Sequence, residues 1–430
     1  MNTLKVAILT MFNGLSNVYS LVNVVREQLE MLLADNISVK MLVSEHCPDA
    51  ERTGIFADER IAWVKIVNSK NGQFFKWHTY TKAEDKIHDT FFEEASLIAA
   101  DFVQNLQDVD VCILHDILYQ GVHLVHNVAI REAQKSLPNV KFLAFTHSAP
   151  AAHLNADTPI RCMFSPMPNT TFLYPTQCGL AAIAKQYQVQ IDRCACVSNS
   201  ISPTLGLCAE ARQILQTSGF AQRDILLVYP ARLTLAKRFH IIAEFAGILK
   251  QYTHKSVGVI FCDFSSADID PALYRFLVKD IAVKNGLASN DVVFTAECGY
   301  PEGISREAVF DLFSLSNLFL CPSYSESFGL TVIEAAARGN YIVLNEAVPA
   351  LAEIGNAIDA YFMRWSARNF GFETVETYHP SERAYYIEHA QKIVANMEHN
   401  PVIKAKTLAR TRYSSTWVYE NQLKPLLYSQ

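Results

Sequence analysis

The sequence predicts two consecutive α/β domains, each a parallel sheet with helices wound on both faces. Three observations predict it. At 430 residues the chain exceeds what one ordinary core organises. Short, continuous apolar runs alternate with stretches of helical spacing, and this rhythm runs twice along the chain, with a break between. Half the residues are apolar and 19% are charged, which fits a chain with a large buried interior and not a disordered one.

The first round opens with Lys5–Thr10, an unbroken apolar run of the kind a strand buried on both faces requires. Asn17–Ala34 carries apolar residues at helical spacing, and Ser38–Ser44 and Ile61–Val67 read as further strands. A long helix over Ala83–Leu106, strand Val109–His115, helix Leu124–Ser136 and strand Val140–Thr146 follow. Strand Thr171–Tyr174, helix Thr176–Gln186 and strand Cys194–Val197 close the round. Asn199–Ala221 shows no clear strand and reads as the passage between domains.

The second round alternates strands Ile225–Tyr229, Ser256–Cys262, Asp291–Thr295, Leu318–Cys321 and Tyr341–Leu344 with helices Lys237–Gln251, Ala272–Asn285, Ser305–Leu315 and Leu330–Arg338. Ser381–Ser429 is helical. The predicted domains are 1–200, completed by a C-terminal helix at 412–430, and 201–411. In doubly wound sheets ligands sit beyond the carboxyl ends of strands, so functional residues are expected on loops after strands.

The formal net charge of −6 disfavours a polyanionic partner such as nucleic acid. The ten cysteines are scattered without a C-x-x-C pair, and free thiols packed as small apolar groups in a reducing compartment account for them. The N-terminal apolar run is too short for a secretory signal, and no stretch of 18 apolar residues occurs. The expected location is therefore the cytoplasm, with contact at the inner face of a membrane left open. G-x-G-x-x-G and G-x-S-x-G are both absent.

Two segments carry chemistry. Tyr229–Arg238 (YPARLTLAKR) follows the first strand of the second round and sets Arg232 and Lys237 around a turn. Two cations there can converge on a diphosphate, Arg232 as a bidentate fork and Lys237 as a point charge. Cys321–Gly339 (CPSYSESFGLTVIEAAARG) runs from a strand end through a Ser-rich loop into a helix near Phe328 and Gly329. The amides of Gly329 and Leu330 at that helix start would face an anion, helped by the helix dipole. Glu326 stands just before this place and Glu334 eight residues on, so the two carboxylates are expected to share a side.

Together these segments resemble the signature of glycosyltransferase family 4, retaining enzymes of the GT-B architecture. Arg232 to Lys237 matches its R-L-x-x-x-K. Glu326 to Glu334, with Phe328, Gly329 and Leu330 between, matches its E-x7-E. Ala335–Gly339 and Ala350–Glu353 follow as its tails. The likeness is close over Ile225–Gly355 and loose before it.

The resemblance implies two Rossmann-like domains facing across a cleft, and transfer of a sugar from a nucleotide-diphosphate donor to a glycan, lipid-linked or small-molecule acceptor. It implies that Arg232 and Lys237 neutralise the diphosphate with the Gly329 and Leu330 amides, that Glu326 meets sugar hydroxyls, and that Glu334 meets the ribose. His147, ending Phe145-Thr-His147, resembles the family histidine that faces the donor sugar, and His115 and Asp116 are acceptor-side candidates. The departing phosphate takes the acceptor's proton, so neither a cofactor nor a metal is expected. The D-x-D texts at Asp108–Asp110 and Asp268–Asp270 are placed at a strand's wrong end and at a helix start.

Departures from the family pattern are specific. Phe12–Asn17 lacks a Gly-Gly pair, leaving Gly14 as the candidate for close phosphate approach. Asp263 stands where G-x-G is common, Ser202 replaces an Asp, and Ser327 replaces a Gly. Two other readings remain: a sugar transferase acting on modified nucleic-acid bases, for which Lys70–Lys86 would supply Phe74, Phe75, Trp77 and Tyr80 among lysines, although that stretch reads first as a loop packed on the first domain, and a non-catalytic partner subunit of the same fold. The basic run Lys404–Arg412 is read as part of the helix leading back to the first domain.

Overall fold

The computed structural model describes residues 4–70, 73–75, 80, 86–150, 164–266, 269–365, 368–369, 373–375 and 382–429. The chain divides into one unit formed by Met1–Ile201 with Ser415–Gln430 and a second formed by Ser202–Ser414. In the first, β1 (Lys5–Leu9), α1 (Ser20–Ala34), β2 (Ser38–Ser44), β3 (Ile61–Ile66), α2 (Phe91–Leu106), β4 (Val111–His115) and α3 (Leu124–Gln134) lead to β5 (Lys141–Phe145). β6 (Thr170–Tyr174), α4 (Leu180–Gln186) and β7 (Cys194–Cys196) complete it. The strands form one seven-stranded sheet, in the order β3-β2-β1-β4-β5-β6-β7, with every pairing parallel.

The second unit starts with α5 (Ala209–Ser218) and β8 (Ile225–Arg232), followed by α6 (Phe239–Thr253), β9 (Val257–Phe264), α7 (Pro271–Lys284), β10 (Val292–Phe294) and α8 (Arg306–Leu315). β11 (Leu318–Cys321), α9 (Leu330–Ala337), β12 (Tyr341–Asn345), α10 (Pro349–Ala357), β13 (Tyr361–Met363), α11 (Glu382–His399) and α12 (Pro401–Arg412) follow. Its six-stranded sheet has the order β10-β9-β8-β11-β12-β13 and is again parallel. The chain is thus two successive Rossmann-like units. In both sheets the order reverses beside the unit's first strand, β1 against β4 and β8 against β11. That reversal opens a crevice at the strands' carboxyl ends, where doubly wound folds bind ligands.

The apolar runs form strands because both faces of each sheet are covered. Val6–Leu9 and Ile225–Tyr229 are buried at every position. Helices cover the sheets with one stripe each: α1 buries Leu21, Val22, Val25, Leu29 and Leu32, the spacing of a single helical face. Cysteines 112, 262 and 321 are buried within strands and are free, and burial pushes the Cys321 thiol up to about 11. Among the described residues no helix is long and apolar enough to cross a membrane.

Four expectations change. The helix expected from Ala83 begins at Phe91, because Glu94 holds the preceding turn, accepting from Thr90 Oγ1 at 2.6 Å and meeting His88 Nε2 at 2.9 Å; residues 83–85 lie outside the described residues. The supposed passage Asn199–Ala221 contains α5, anchored by Ala211, Ile214 and Leu215. The C-terminal helical stretch is broken at Asn400, whose side chain caps α12 by accepting from the amides of Val402 and Ile403. The reading of Lys70–Lys86 as a stretch packed on the first domain does not change: Phe75 and Tyr80 are buried in that unit's core, and Trp77 lies outside the described residues.

Asp263 is the fourth. It was expected in the loop after a strand, yet it lies within β9 and is fully buried. Its Oδ2 accepts from Arg275 Nε at 2.8 Å and pairs with Nη2 at 2.7 Å. Oδ1 accepts from the Ala296 amide at 3.2 Å. The strand runs two residues further than its apolar pattern because this carboxylate has a complete set of partners. Asp263→Ala strands the Arg275 guanidinium and should cost about 3–5 kcal/mol. Denaturant unfolding followed by fluorescence checks this, and a loss below about 1 kcal/mol would contradict the lock.

Candidate functional site

Each unit carries a cluster of candidate side chains at its crevice. In the second unit the cluster is made by the turn after β8 and the loop after β11. Arg232 ends β8 and is exposed; among the described residues its side chain has no ion-pair partner. A short helical turn over Leu235–Lys237 follows. Arg238 then adopts φ +51°, a left-handed conformation rare for a residue with a side chain, and α6 begins only at Phe239. Lys237 therefore precedes the helix it was expected to open.

The two loops are stitched together at several points. The Tyr324 amide donates to Ala236 O at 3.0 Å. Tyr229, buried in β8, donates its hydroxyl to Lys237 O at 3.0 Å and lies 3.3 Å from Ser323 Oγ. Arg238 Nη1 donates to Pro322 O at 3.1 Å, and its guanidinium carbon stands 3.4 Å from the Tyr324 ring centre, an attractive cation–ring stack. Lys237 Nζ and the Glu326 carboxylate are in direct ion-pair contact. Arg232, Lys237 and Glu326 are thus brought together on one pair of loops within a single unit.

Gly329 follows, at φ +89°, as the residue that caps the start of α9. A Cβ there would come within 3.1 Å of Leu351 Cδ2 and 3.2 Å of Val332 Cγ2, so both backbone and space demand glycine. The first turn of α9 leaves amides without intrahelical partners. Phe328 and Leu330 flank this turn with more than half their surface in solvent.

Glu334 behaves differently from expectation. Glu326 lies before the helix, so the two carboxylates share no helical face, and each has its own cation. Glu334 Oε1 accepts from Arg306 Nη2 at 2.8 Å and Nε at 3.2 Å. Arg306 is largely exposed, so this pair is weak and readily exchanged for a ligand.

The first unit's cluster is an aromatic and imidazole stack at the ends of β4 and β5. The rings of Phe145, His115 and His147 are nearly parallel, with interplanar angles of 12°, 16° and 4° among them. His115 is fully buried, with Nδ1 2.9 Å from His147 Nε2 and Nε2 3.0 Å from Gln28 Oε1. This corrects its placement as an acceptor-side group: it stands behind His147, where no acceptor reaches it. Asp116 has φ +57° and is buried. It ties two loops by accepting from the His147 amide at 2.8 Å and from Gln120 Nε2 at 3.0 Å. Burial raises its carboxyl above the usual range. Burial likewise lowers His115 and His147, with Asp116 pulling His147 back in part.

A cavity of about 370 Å³ adjoins this cluster, lined by Thr10, Phe12, Gly14, Tyr19, Asp116 and Gln120 among others. Gly14 is a second correction. The Glu51 carboxylate lies 3.0 Å from where its Cβ would be and accepts from the Leu15 amide at 2.5 Å. An acidic group holds the place assigned to phosphate, and like charges there would repel.

Among the described residues no group of three or more His, Cys, Asp or Glu could hold a metal ion. Asp108 pairs with Lys40 at 2.7 Å, Asp110 accepts from the Lys5 amide at 2.8 Å, and Asp270 caps α7; Asp268 lies outside the described residues. Sequence reasoning missed Arg238, Tyr324 and Gln28. The first two gave no signal, because a left-handed φ and a ring stack are tertiary facts. Gln28 did give one: it is a polar residue falling on the apolar stripe of α1 between Val25 and Leu32.

Residues 211–359 match the family model described as Glycosyl transferases group 1. No curated protein matches the chain. Among solved structures, a glycosyltransferase from Rickettsia africae is similar at 14% identity and TM-score 0.37, covering 100% of both chains. HepE of Anabaena, solved with UDP, is similar at 13% identity and TM-score 0.35, covering 98% of this chain and 99% of its own. The N-terminal domain of Candida albicans trehalose-6-phosphate phosphatase is similar at 12% identity and TM-score 0.40, covering 100% of this chain and 98% of its own. Likenesses this distant carry no residue correspondence.

The buried histidines set a pH dependence. Burial lowers His115, His126 and His147, and takes His123 to about 4, from an ordinary 6.5. His240 and His389 of the second unit shift the same way. Between these folded values and 6.5 the unfolded chain binds more protons, so stability is full above 6.5 and is lost as pH falls. Asp116 and Glu30, both raised by burial, oppose this as two groups. The melting temperature should therefore fall between pH 7.5 and pH 5; a flat or rising profile would contradict the buried neutral assignment.

Proposed function

We propose that the chain is a retaining glycosyltransferase of family 4 that transfers a sugar from a nucleotide-diphosphate donor to a glycan, lipid-linked or small-molecule acceptor. The observation that carries this reading is the stitched pair of loops in the second unit. It puts an arginine with no ion-pair partner among the described residues, a lysine held by one carboxylate and the amide end of a helix on the same edge of one sheet. Cleaving the anomeric C–O bond leaves charge on the diphosphate, and fixed cations and oriented amides stabilise that charge as it develops. Arg232 and Lys237 take the phosphates with the amides at Gly329 and Leu330, and Phe328 covers the entrance.

When the diphosphate arrives, Lys237 turns from Glu326 to a phosphate oxygen, which frees the Glu326 carboxylate for sugar hydroxyls. Glu334 exchanges exposed Arg306 for ribose hydroxyls. His147 of the first unit serves the sugar, with Asp116 fixing its backbone. The leaving phosphate oxygen accepts the acceptor's proton, so the reaction asks for no metal or cofactor. The pairing of Glu326 with Lys237, and not with a second carboxylate, supports this over a two-carboxylate glycosidase.

A panel of nucleoside diphosphate sugars, UDP-glucose among them, tests the reading by thermal shift. A ligand at a hundred times its dissociation constant adds about 2.7 kcal/mol of stability. One donor should raise the melting temperature of the native chain, and Arg232→Ala should lose that rise while melting normally without ligand. An equal rise in the variant would count against the assignment.

A further inference from the structure

The cavity of about 370 Å³ in the first unit lies at the small end of the range for ligand sites, and its charges run opposite to those of the donor loops. Among the described residues no Lys or Arg lines it. His123 does, but burial takes its imidazole down to about 4, so it is neutral at pH 7. Asp116 lines the cavity and accepts from two neutral groups, the His147 amide and Gln120 Nε2. Glu51 stands at the wall that Gly14 forms. Its Oε2 accepts from the Leu15 amide at 2.5 Å and lies 3.0 Å from where a Cβ on Gly14 would be. Glu51 is exposed, and among the described residues no cation pairs with it. The start of α1 has no side-chain cap, so its first amides add about half a positive charge there, less than either carboxylate. Phe12 and Tyr19 supply an aromatic wall, their rings edge to face at 6.0 Å.

We infer that this cavity takes an uncharged sugar ring, and that Glu51 is the specificity-determining residue that keeps phosphorylated sugars out of it. A sugar hydroxyl both donates and accepts, so it can give its hydrogen to a carboxylate and take one from an amide at the start of α1. The apolar face of the ring packs on Phe12 and Tyr19. A phosphate only accepts, and it brings negative charge to a wall that has carboxylates and no cation to meet it. Asp116 is buried while Glu51 is exposed, so Glu51 is the carboxylate that an incoming charge meets first. Its position is built in by glycine: any side chain at Gly14 would push the carboxylate off the Leu15 amide. Only the expectation that the hydroxyl-bearing occupant is a sugar rests on the proposed function.

Saturation-transfer NMR on the full chain tests this with D-glucose, D-galactose and D-mannose, each alone and then in competition with its 6-phosphate. At least one hexose should receive magnetisation from the native chain, and Tyr19→Ala, which removes an aromatic wall, should abolish that signal. An equal concentration of the 6-phosphate should leave the native signal unchanged. Glu51→Gln keeps an acceptor for the Leu15 amide but removes the charge, and the 6-phosphate should then displace the hexose with an inhibition constant about tenfold tighter. Competition reads this cavity alone, because a phosphate gripped by Arg232 in the second unit does not displace the hexose. The absence of any hexose signal, or a signal that survives Tyr19→Ala, overturns the inference. A native chain from which the 6-phosphate displaces the hexose overturns it whether or not the variant folds, and so does a folded Glu51→Gln chain with unchanged competition. No nucleotide enters the experiment, so this inference and the transferase reading fail separately.

Discussion

Lys237 reaches Glu326 across the boundary between two loops, and the rest of the candidate donor site depends on that reach. The contact exists because the second sheet reverses its strand order at β8 and β11. That reversal sets the loop carrying Arg232 and Lys237 beside the loop carrying Glu326 and the start of α9. Topology alone would leave two mobile loops. Tyr229, Arg238 and the Tyr324 amide hold them together with bonds to backbone carbonyls, which a ligand need not break. The Lys237–Glu326 pair is partly exposed, so it contributes little to stability and can be given up to a diphosphate at small cost.

The first unit solves a different problem. It places two imidazoles and a carboxylate at the ends of strands in a largely apolar setting, and burial keeps the imidazoles neutral. The cost is acid sensitivity, because each buried imidazole resists the proton that the unfolded chain takes up. Asp116, in a left-handed conformation, is the point at which the chain turns after β4, and its side-chain Oδ1 accepts from the His147 amide.

Most strands were legible because parallel strands covered on both faces must be continuous apolar runs. Leu318–Cys321 is such a run, and the strand has those bounds. The twofold rhythm of strands and helices likewise gave the Rossmann-like units. What was not legible depends on partners distant in sequence. β9 extends through Asp263 because Arg275 meets it, and α2 starts late because Glu94 binds His88 and Thr90. Arg238 turns left-handed where a helix was expected. The motif residues Arg232, Lys237, Glu326 and Gly329 could be picked out by residue type and position after strands, but their mutual contacts could not. Gly14 and His115 show the limit from the other side: each follows a strand end as a ligand residue should, yet Glu51 fills the space at one and the core encloses the other.

The central claim is that one diphosphate is gripped by the turn after β8 and the start of α9. A crystal structure of the chain with a bound nucleoside diphosphate tests it most directly. The account predicts phosphate oxygens within hydrogen-bond distance of Arg232, of Lys237 and of the Leu330 amide, with the Lys237–Glu326 contact opened. A diphosphate bound elsewhere, with that contact intact, would contradict it.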